Sequence, residues 1–421
     1  MPFLHGICSI GELKIASMTT KLPLILALSA MILGCSSQRK VAATDITSST
    51  PLIGTAMTDQ ARPVVASESP ADCRQARLSF SSALLSKGAR KGENLIVSPL
   101  SAGVALSMLR EGASGRTLSD LDAALFGASY PLLRERSDSS TILRSANSLW
   151  IKEGFSMLPS YEDTLKEKYQ AQAFERDFSS RATVGEINSW CSRNTAGKIP
   201  SILSELKPTD VAVLLNALYF NAPWTKPFMK EGERVFHCAS GDKEVPFMDR
   251  KDNFPVIEDE MFTSVAVPYE GNGAAMILLL PKEGTSAEDL AGSLDVDKIS
   301  AILEGTYPTR TELHIPKFKL ETTLSMNNLL KEMGAGVIFE PSADFSAMSP
   351  KRICVSEVQQ KCYLDVSEKG TEAAAVTSIT MKLTSVAPSR TTVLVFDRPF
   401  VFLLYDYVNE EMLFEGVINN P

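Results

Sequence analysis

Residues 368–385 read EKGTEAAAVTSITMKLTS, and the fold turns on how this stretch is taken. It holds too few turn formers for a good loop and too many small residues for a good core strand. Every second position from Thr371 gives Thr371, Ala373, Ala375, Thr377, Ile379 and Met381, a small or apolar set without charge. The intervening set is Glu372, Ala374, Val376, Ser378, Thr380 and Lys382, and it carries the charges. That alternation suits a strand with one face on a core. Three consecutive alanines nevertheless give weak strand propensity, and Gly370 ahead of them supplies a pivot. An Ala-rich helix opening at Thr371 fits the pattern equally well.

Around this segment the second half of the chain is rich in strands. VAVLLNALYF (211–220) is a continuous apolar run with one Asn inside it, and TSVAVPYEGNGAAMILLLP reads as a hairpin turning at Gly271-Asn272-Gly273. TELHIPKFKLE, TTVLVFDRPFVFLLYDY and MLFEGVINN follow as further strands. The first half reads mostly helical. Asn94 to Val97 is a short strand-like run, after which Ser98 is placed to cap a helix, with Pro99 in its first turn. Leu100, Val104, Met108 and Leu109 keep helical spacing up to Gly112. GRTLSDLDAALF, PSYEDTLKEKY and TVGEINSWCSRNTAG give three more helices. Helices first and strands later, without a βαβ rhythm or an internal repeat, predict one large α+β domain.

The chain has 421 residues, 44% of them hydrophobic, which is ample for a large core. Its net charge is −8 and no basic stripe occurs, which argues against nucleic acid as a partner. The three histidines are His5, His237 and His314, and no zinc-protease, Walker A or nucleophile-elbow motif is present. GNGAAM lacks the third glycine of a dinucleotide fingerprint and joins two strands, so no cofactor is expected. Acidic clusters such as Glu258-Asp259-Glu260 read as solvated faces. Cys73, Cys191, Cys238, Cys354 and Cys362 are odd in number and form no C-x-x-C, so neither a disulfide framework nor a metal site is expected, although one bridge remains open. Nothing in these residues argues for an enzyme.

The N-terminus reads as export machinery. Lys21 precedes 13 uncharged residues, Leu22 to Gly34, too few to span a bilayer and suited to a secretory signal. Ile32-Leu33-Gly34-Cys35 resembles a bacterial lipobox, which would make Cys35 the lipidated first residue of the mature chain. An ordinary signal peptide with a chance cysteine is the other reading, since Leu33 is bulkier than usual there. Met18 is a second candidate start, because residues 1–17 add nothing that a signal needs. The expected organisation is a signal over 1–34, a Ser/Thr/Ala/Pro-rich tether over 35–73 and a folded domain over 74–421. Ser36 in second place resembles the outer-membrane sorting pattern. An exported lipoprotein is expected, probing the periplasm or the exterior, with secretion as the alternative.

DVSEKGTEAAAVTS (365–378) closely resembles the hinge of the reactive-centre loop of serpins. NLIVSPLSAGVALSML, INSWCSRNTAGKIPSIL, LLNALYFNAPWTKPF, VPYEGNGAAMILLLP, IPKFKLE, ADFSAM and RPFVFLLYD with LFEGVINNP resemble that family's segments in their usual order. The resemblance implies a serpin fold: a dominant mixed β-sheet, smaller sheets, about eight or nine helices and an exposed loop over about 368–392. It also implies a monomeric suicide inhibitor of serine proteases, and of papain-like cysteine proteases as further targets. Such a protein is cut in its loop, holds the protease as an acyl-enzyme, and inserts the freed loop into the large sheet.

Residue by residue, the resemblance makes Glu368, Gly370, Thr371, Glu372, Ala373, Ala374 and Ala375 the hinge. Ser98, Ser101, Asn216 and Gln360 match the cluster beneath the sheet's opening. Gln360 stands where many members have a histidine, so pH-sensitive opening through that position is not expected. Trp224, with Lys317 and Glu368 as an ion pair, matches the place where the loop first enters the sheet. Counting from Glu368 gives Thr384–Ser385 as the reactive bond. The loop is longer than in many members, so Met381, Lys382 and Leu383 stay open as the residue before the cut. A non-inhibitory serpin acting as a binding or chaperone module is the rival function, and a hydrolase is a more distant one. The hinge favours inhibition, since Glu372 is the sole charge between Thr371 and Val376 and falls in the outward set.

Overall fold

An apolar run with one capping serine becomes the buried centre of this molecule. The structure, a computed structural model, describes residues 70–130, 136–137, 142–271, 273–305, 307–371 and 391–421. Helix α1 (Pro70–Gly88) carries Asp72 in its first turn and Lys87 in its last, each matched to the helix dipole. It starts four residues ahead of the domain boundary expected at residue 74, so residues 70–73 are helical. Strand β1 (Leu95–Val97) then leads into α2 (Pro99–Gly112). The Ser101 N–H donates to Ser98 Oγ at 3.2 Å and Pro99 occupies the first turn. Nearly all of α2 is buried, as its run of small and apolar residues dictates. Tyr130 packs so closely on it that a Cβ at Gly103 would lie 2.3 Å from the ring.

Helices α3 (Gly115–Ala124), α4 (Pro159–Tyr169) and α5 (Arg181–Asn194) lie where periodicity predicts them. Among them, however, run β2 (Arg136–Ser137), β3 (Ile142–Lys152) and β4 (Gln172–Arg176), so the first half is less helical than expected. β3 escapes notice because both its faces are covered. Leu143, Leu149 and Ile151 enter the main core, while Ala146 and Trp150 enter a second core under α5. A strand buried on both sides shows no polar alternation.

The remaining elements are β5 (Ala212–Pro223), β6 (Met229–Cys238), β7 (Gly241–Glu258), β8 (Phe262–Pro268), β9 (Ala274–Pro281), α6 (Ala287–Ser293), α7 (Val296–Glu304), β10 (Pro308–Pro316), β11 (Phe318–Ser325), α8 (Asn327–Glu332), β12 (Val355–Ser367), β13 (Gly370–Thr371), β14 (Thr392–Val395), β15 (Phe400–Asp406) and β16 (Glu411–Ile418). Eight α-helices thus occur among the described residues. One sheet of nine strands runs β1-β16-β15-β9-β8-β7-β10-β14, with β6 on β7. The other, of seven strands, runs β11-β12-β13-β5-β3-β2, with β4 on β3 and a direct β12–β5 pairing.

The seven-stranded sheet is mixed and lies between two cores. On one face, Leu214, Leu218 and Phe220 of β5 and Cys362, Leu364 and Val366 of β12 join the main core with α2. On the other, Val213, Leu215, Ala217 and Tyr363 meet Ile187, Trp190 and Cys191 of α5. The same two-sided burial explains the unbroken apolar run at 211–220.

Candidate functional site

The seam between β12 and β5 collects most of the described residues singled out from sequence. Its lower part is closed by direct parallel pairing, from Val355 opposite Ala212 to Cys362 opposite Leu218, with Gln360 opposite Asn216. Gln360 turns to α2: its Oε1 accepts from the Ser98 N–H at 2.9 Å and its Nε2 donates to the Ser98 carbonyl at 3.0 Å. One amide therefore satisfies the Ser98 N–H and adds a second donor to the Ser98 carbonyl, which also accepts from the Ala102 N–H at 3.0 Å. Asn216 turns the other way, its Nδ2 donating to Asn147 Oδ1 of β3. Expectation grouped Ser98, Ser101, Asn216 and Gln360. Ser98, Ser101 and Gln360 do meet, but Asn216 pairs across its own side of the seam.

At the upper part the two strands are held apart by β13. Gly370 and Thr371 lie antiparallel to β12, opposite Ser367 and Val366, and antiparallel to β5, opposite Pro223 and Ala222. Only glycine fits the first position, where φ is +146° and a Cβ would stand 2.2 Å from the Ala222 carbonyl oxygen. Thr371 is fully buried, and both its partners, Ala222 and Val366, belong to the main core. Thr371 therefore faces the core before any cleavage has occurred. The alternation places it inward, and the structure adds that this first position is already occupied.

Aromatic residues secure the turn between β12 and β13. Trp224 Nε1 donates to the Ser367 carbonyl at 2.9 Å, and its amide donates to the Lys369 carbonyl at 3.0 Å. The Phe228 amide donates to the Glu368 carbonyl at 2.7 Å. Tyr269 stacks on Trp224 with ring centroids 4.3 Å apart, and its hydroxyl lies 2.6 Å from Thr371 Oγ1. Burial pushes the Tyr269 phenol far above its ordinary pKa, so it is a neutral hydroxyl. Lys317 Nζ lies 3.0 Å from Glu368 Oε2. Burial works to raise the Glu368 pKa, but its own backbone amide and the Lys317 ammonium hold it below the usual carboxylate range.

Sequence reasoning missed three side chains here. Asn147 hides in an unrecognised strand and Tyr269 in a hairpin read only for its turn. Lys361, buried on β12, donates to the Ser201 carbonyl at 2.6 Å and pairs with Glu321 at 2.6 Å. It thereby ties the segment after α5 to the sheet. β12 also carries Glu357, Gln359, Gln360 and Asp365, so Lys361 gave no signal of its own in the sequence. Glu372, Ala373, Ala374, Ala375, Met381, Lys382, Leu383, Thr384, Ser385 and Cys35 lie outside the described residues.

Residues 75–421 match the family model described as serpin (serine protease inhibitor). An uncharacterized serpin-like protein of Thermococcus kodakarensis is 33% identical over 361 residues, covering 82% of this chain and 84% of that protein. Iripin-8 of Ixodes ricinus is 32% identical, with 77% and 88% covered. Among solved structures, the thermophilic serpin tengpin in its native state superposes with a TM-score of 0.79 at 30% identity, over 86% of this chain and 97% of that one. The mixed α+β architecture and the seam with its seated hinge define a serpin fold. The chain belongs to the serpin family, whose members are in general protease inhibitors rather than catalysts.

Proposed function

We propose that this serpin is a suicide-type inhibitor of serine proteases, and of papain-like cysteine proteases as a second target class. The observation that carries the reading is β13: a two-residue strand, antiparallel to both neighbours, seated where the seam opens. Further strand addition in that direction exchanges one parallel pairing for two antiparallel ones. Parallel pairing is slightly the less stable per residue, so the exchange releases free energy. About fifteen added residues would span roughly 50 Å.

In the proposed reaction the protease nucleophile attacks the carbonyl carbon of the residue before the reactive bond, Thr384 on the family register. The C–N bond to Ser385 breaks, the new amine leaves with a proton, and an ester or thioester joins the chain to the protease. Insertion of the hinge-side segment then outpaces hydrolysis of that acyl bond. Small, uncharged residues at Ala373 and Ala375 favour speed, because they enter the sheet without displacing its core. The protein would act as a monomer. Lipid anchoring through Cys35, on the outer membrane, is part of the same proposal and rests on the sequence of residues 21–36.

Incubation with a panel of trypsin-, chymotrypsin-, elastase- and papain-like proteases tests the reading. An SDS-stable complex is expected with at least one of them, and the mass of the released C-terminal fragment fixes the reactive bond among Met381, Lys382, Leu383 and Thr384. Cleavage by all without a complex would overturn inhibition and favour a binding or chaperone role. Detergent partitioning of the wild type but not of Cys35→Ser tests the anchor.

A further inference from the structure

Thr371 is held in the sheet by a residue of the other sheet. Tyr269 follows β8, bridges Trp224 through its backbone and donates its amide to the Ala274 carbonyl at 2.9 Å, so its position is fixed by the β8–β9 hairpin. Its ring is clamped by the stacked Trp224 and by the edge of Phe220, 5.1 Å away. The hydroxyl emerges from this clamp at one point only, 2.6 Å from Thr371 Oγ1, with both residues buried. Two buried hydroxyls satisfy each other there, one donating and one accepting. Taking either away leaves its partner without water and without a mate.

We infer that Tyr269 is a positioning residue for the inhibitory reaction: its hydroxyl holds Thr371 inside the sheet before cleavage, so that strand addition starts from a formed nucleus. This rests on the inhibitory reading above. Two points make the contact a setting device rather than general packing. First, β13 is two residues long, so its seat depends on few bonds and one hydroxyl pair weighs heavily in it. Second, the pair joins the hinge to the β8–β9 hairpin, which is itself bridged to Trp224 at the end of β5. A seat fixed through Tyr269 to the β5 side of the seam keeps its register as β12 parts from β5 below it. Strand pairing, like helix growth, is limited by its first contacts, because closing the loop precedes any ladder bond. A hinge that must be seated anew after cleavage loses time to hydrolysis of the acyl bond.

Tyr269→Phe keeps the ring stack and removes only the hydroxyl. Thr371→Val removes the other half at nearly constant shape, and Thr371→Ser restores a hydroxyl. Hydrogen exchange on the uncleaved protein reads the seat directly, with no protease present. Exchange in peptides spanning 366–371 should quicken by about ten- to a hundredfold in Tyr269→Phe and Thr371→Val, the range expected for one orphaned buried hydroxyl. The double variant, which orphans no hydroxyl, should exchange more slowly than either single one, Thr371→Ser should stay slow, and peptides spanning 214–217 should not change in any of them. In inhibition assays the stoichiometry should rise in the two hydroxyl-deleting variants while the association rate constant stays at the wild-type value. A merely structural role would instead move the melting temperature and leave that split untouched. Unchanged exchange at 366–371 in both variants would overturn the positioning role. Faster exchange with unchanged stoichiometry would overturn its link to inhibition. If the wild type forms no complex with any protease, the inhibitory reading fails and the link with it, while the exchange data still decide whether the hydroxyl pair holds the hinge.

Discussion

The two ends of one seam are built on different principles. Below, β12 and β5 pair directly, and their opposed polar side chains bond to different partners, Gln360 to Ser98 and Asn216 to Asn147. Above, the strands are parted by Gly370 and Thr371, and contacts run across the gap: Trp224 to Ser367 and Lys369, Phe228 to Glu368, Tyr269 to Thr371. The lower seam is thus held by backbone ladder and packing, and the upper end by side chains that fasten a foreign strand. Parting the strands here breaks their backbone ladder and the Val211–Ser356 bond at its foot, while Gln360 and Asn216 keep their own side-chain partners. Under the proposed insertion, this difference would send the opening from Gly370–Thr371 downward, with the added strand taking up the backbone groups that the ladder releases.

The largest effect should follow from forcing the upper end open. Thr371→Arg puts an unpaired charge at a site with no exposure, at a cost of several kcal/mol even after relaxation. Each 1.4 kcal/mol slows a step about tenfold, so cleavage should continue at the same bond while complex formation on SDS gels falls below detection. Glu372→Arg, charged on the outward set, should largely keep inhibition. Equal complex yields from the two would break the inward–outward assignment. Next in size, Gly370→Ala meets both a positive φ and the Ala222 carbonyl, strain of about 1–3 kcal/mol. The hinge should leave its seat, and the fluorescence of Trp224, no longer bonded to Ser367, should shift towards that of an exposed indole.

How much of this was legible in the sequence follows from which residues advertise their environment. Helices α2 to α5 carry a 3.6 period, and α2 and α5 a capping serine as well, so they stood out. β3 and β5 of the seven-stranded sheet are buried on both faces, which erases alternation, and β3 with its Arg, Ser and Asn was invisible for that reason. Within the site, Gln360, Asn216, Trp224, Lys317 and Glu368 were found through family resemblance. Tyr269, Asn147 and Lys361 were not, because a polar group buried by pairing looks the same in sequence as one exposed to water. The seat of Thr371 was half legible: its inward face follows from alternation, its occupation before cleavage from nothing in the sequence.

Two smaller effects sharpen the contrast between the ends. Gln360→Leu strands the Ser98 N–H, while the Ser98 carbonyl keeps the Ala102 N–H, and should destabilise by about 1–3 kcal/mol, seen in urea melts. Gln360 and Asn216 stand opposite each other on adjacent strands but bond to different partners, so a cycle with Asn216→Leu should show the coupling of packed neighbours, about 0.5 kcal/mol or more, and strict additivity would show that the two sides of the seam act independently. The smallest effect is electrostatic. The Glu368 carboxylate titrates below its ordinary value, so its contribution is present above the unfolded pKa and is lost as pH falls through the folded one. The pair is partly exposed and worth at most about 1 kcal/mol. Acidification through that window should speed exchange at 366–371 slightly and leave 214–217 unaltered, since Gln360 does not titrate. Lys317→Met should remove most of that dependence.

The central claim is that the seam, seated at the top and unlatched below, accepts the whole cleaved loop. Nicking the loop near Thr384 with a protease that is then removed, followed by thermal melting of intact and cleaved protein, tests it most directly. The account predicts a cleaved form that melts far above the intact one, because added ladder bonds and a buried inward face replace the parallel pairing of β12 and β5. A cleaved form that melts at or below the temperature of the intact protein would contradict it.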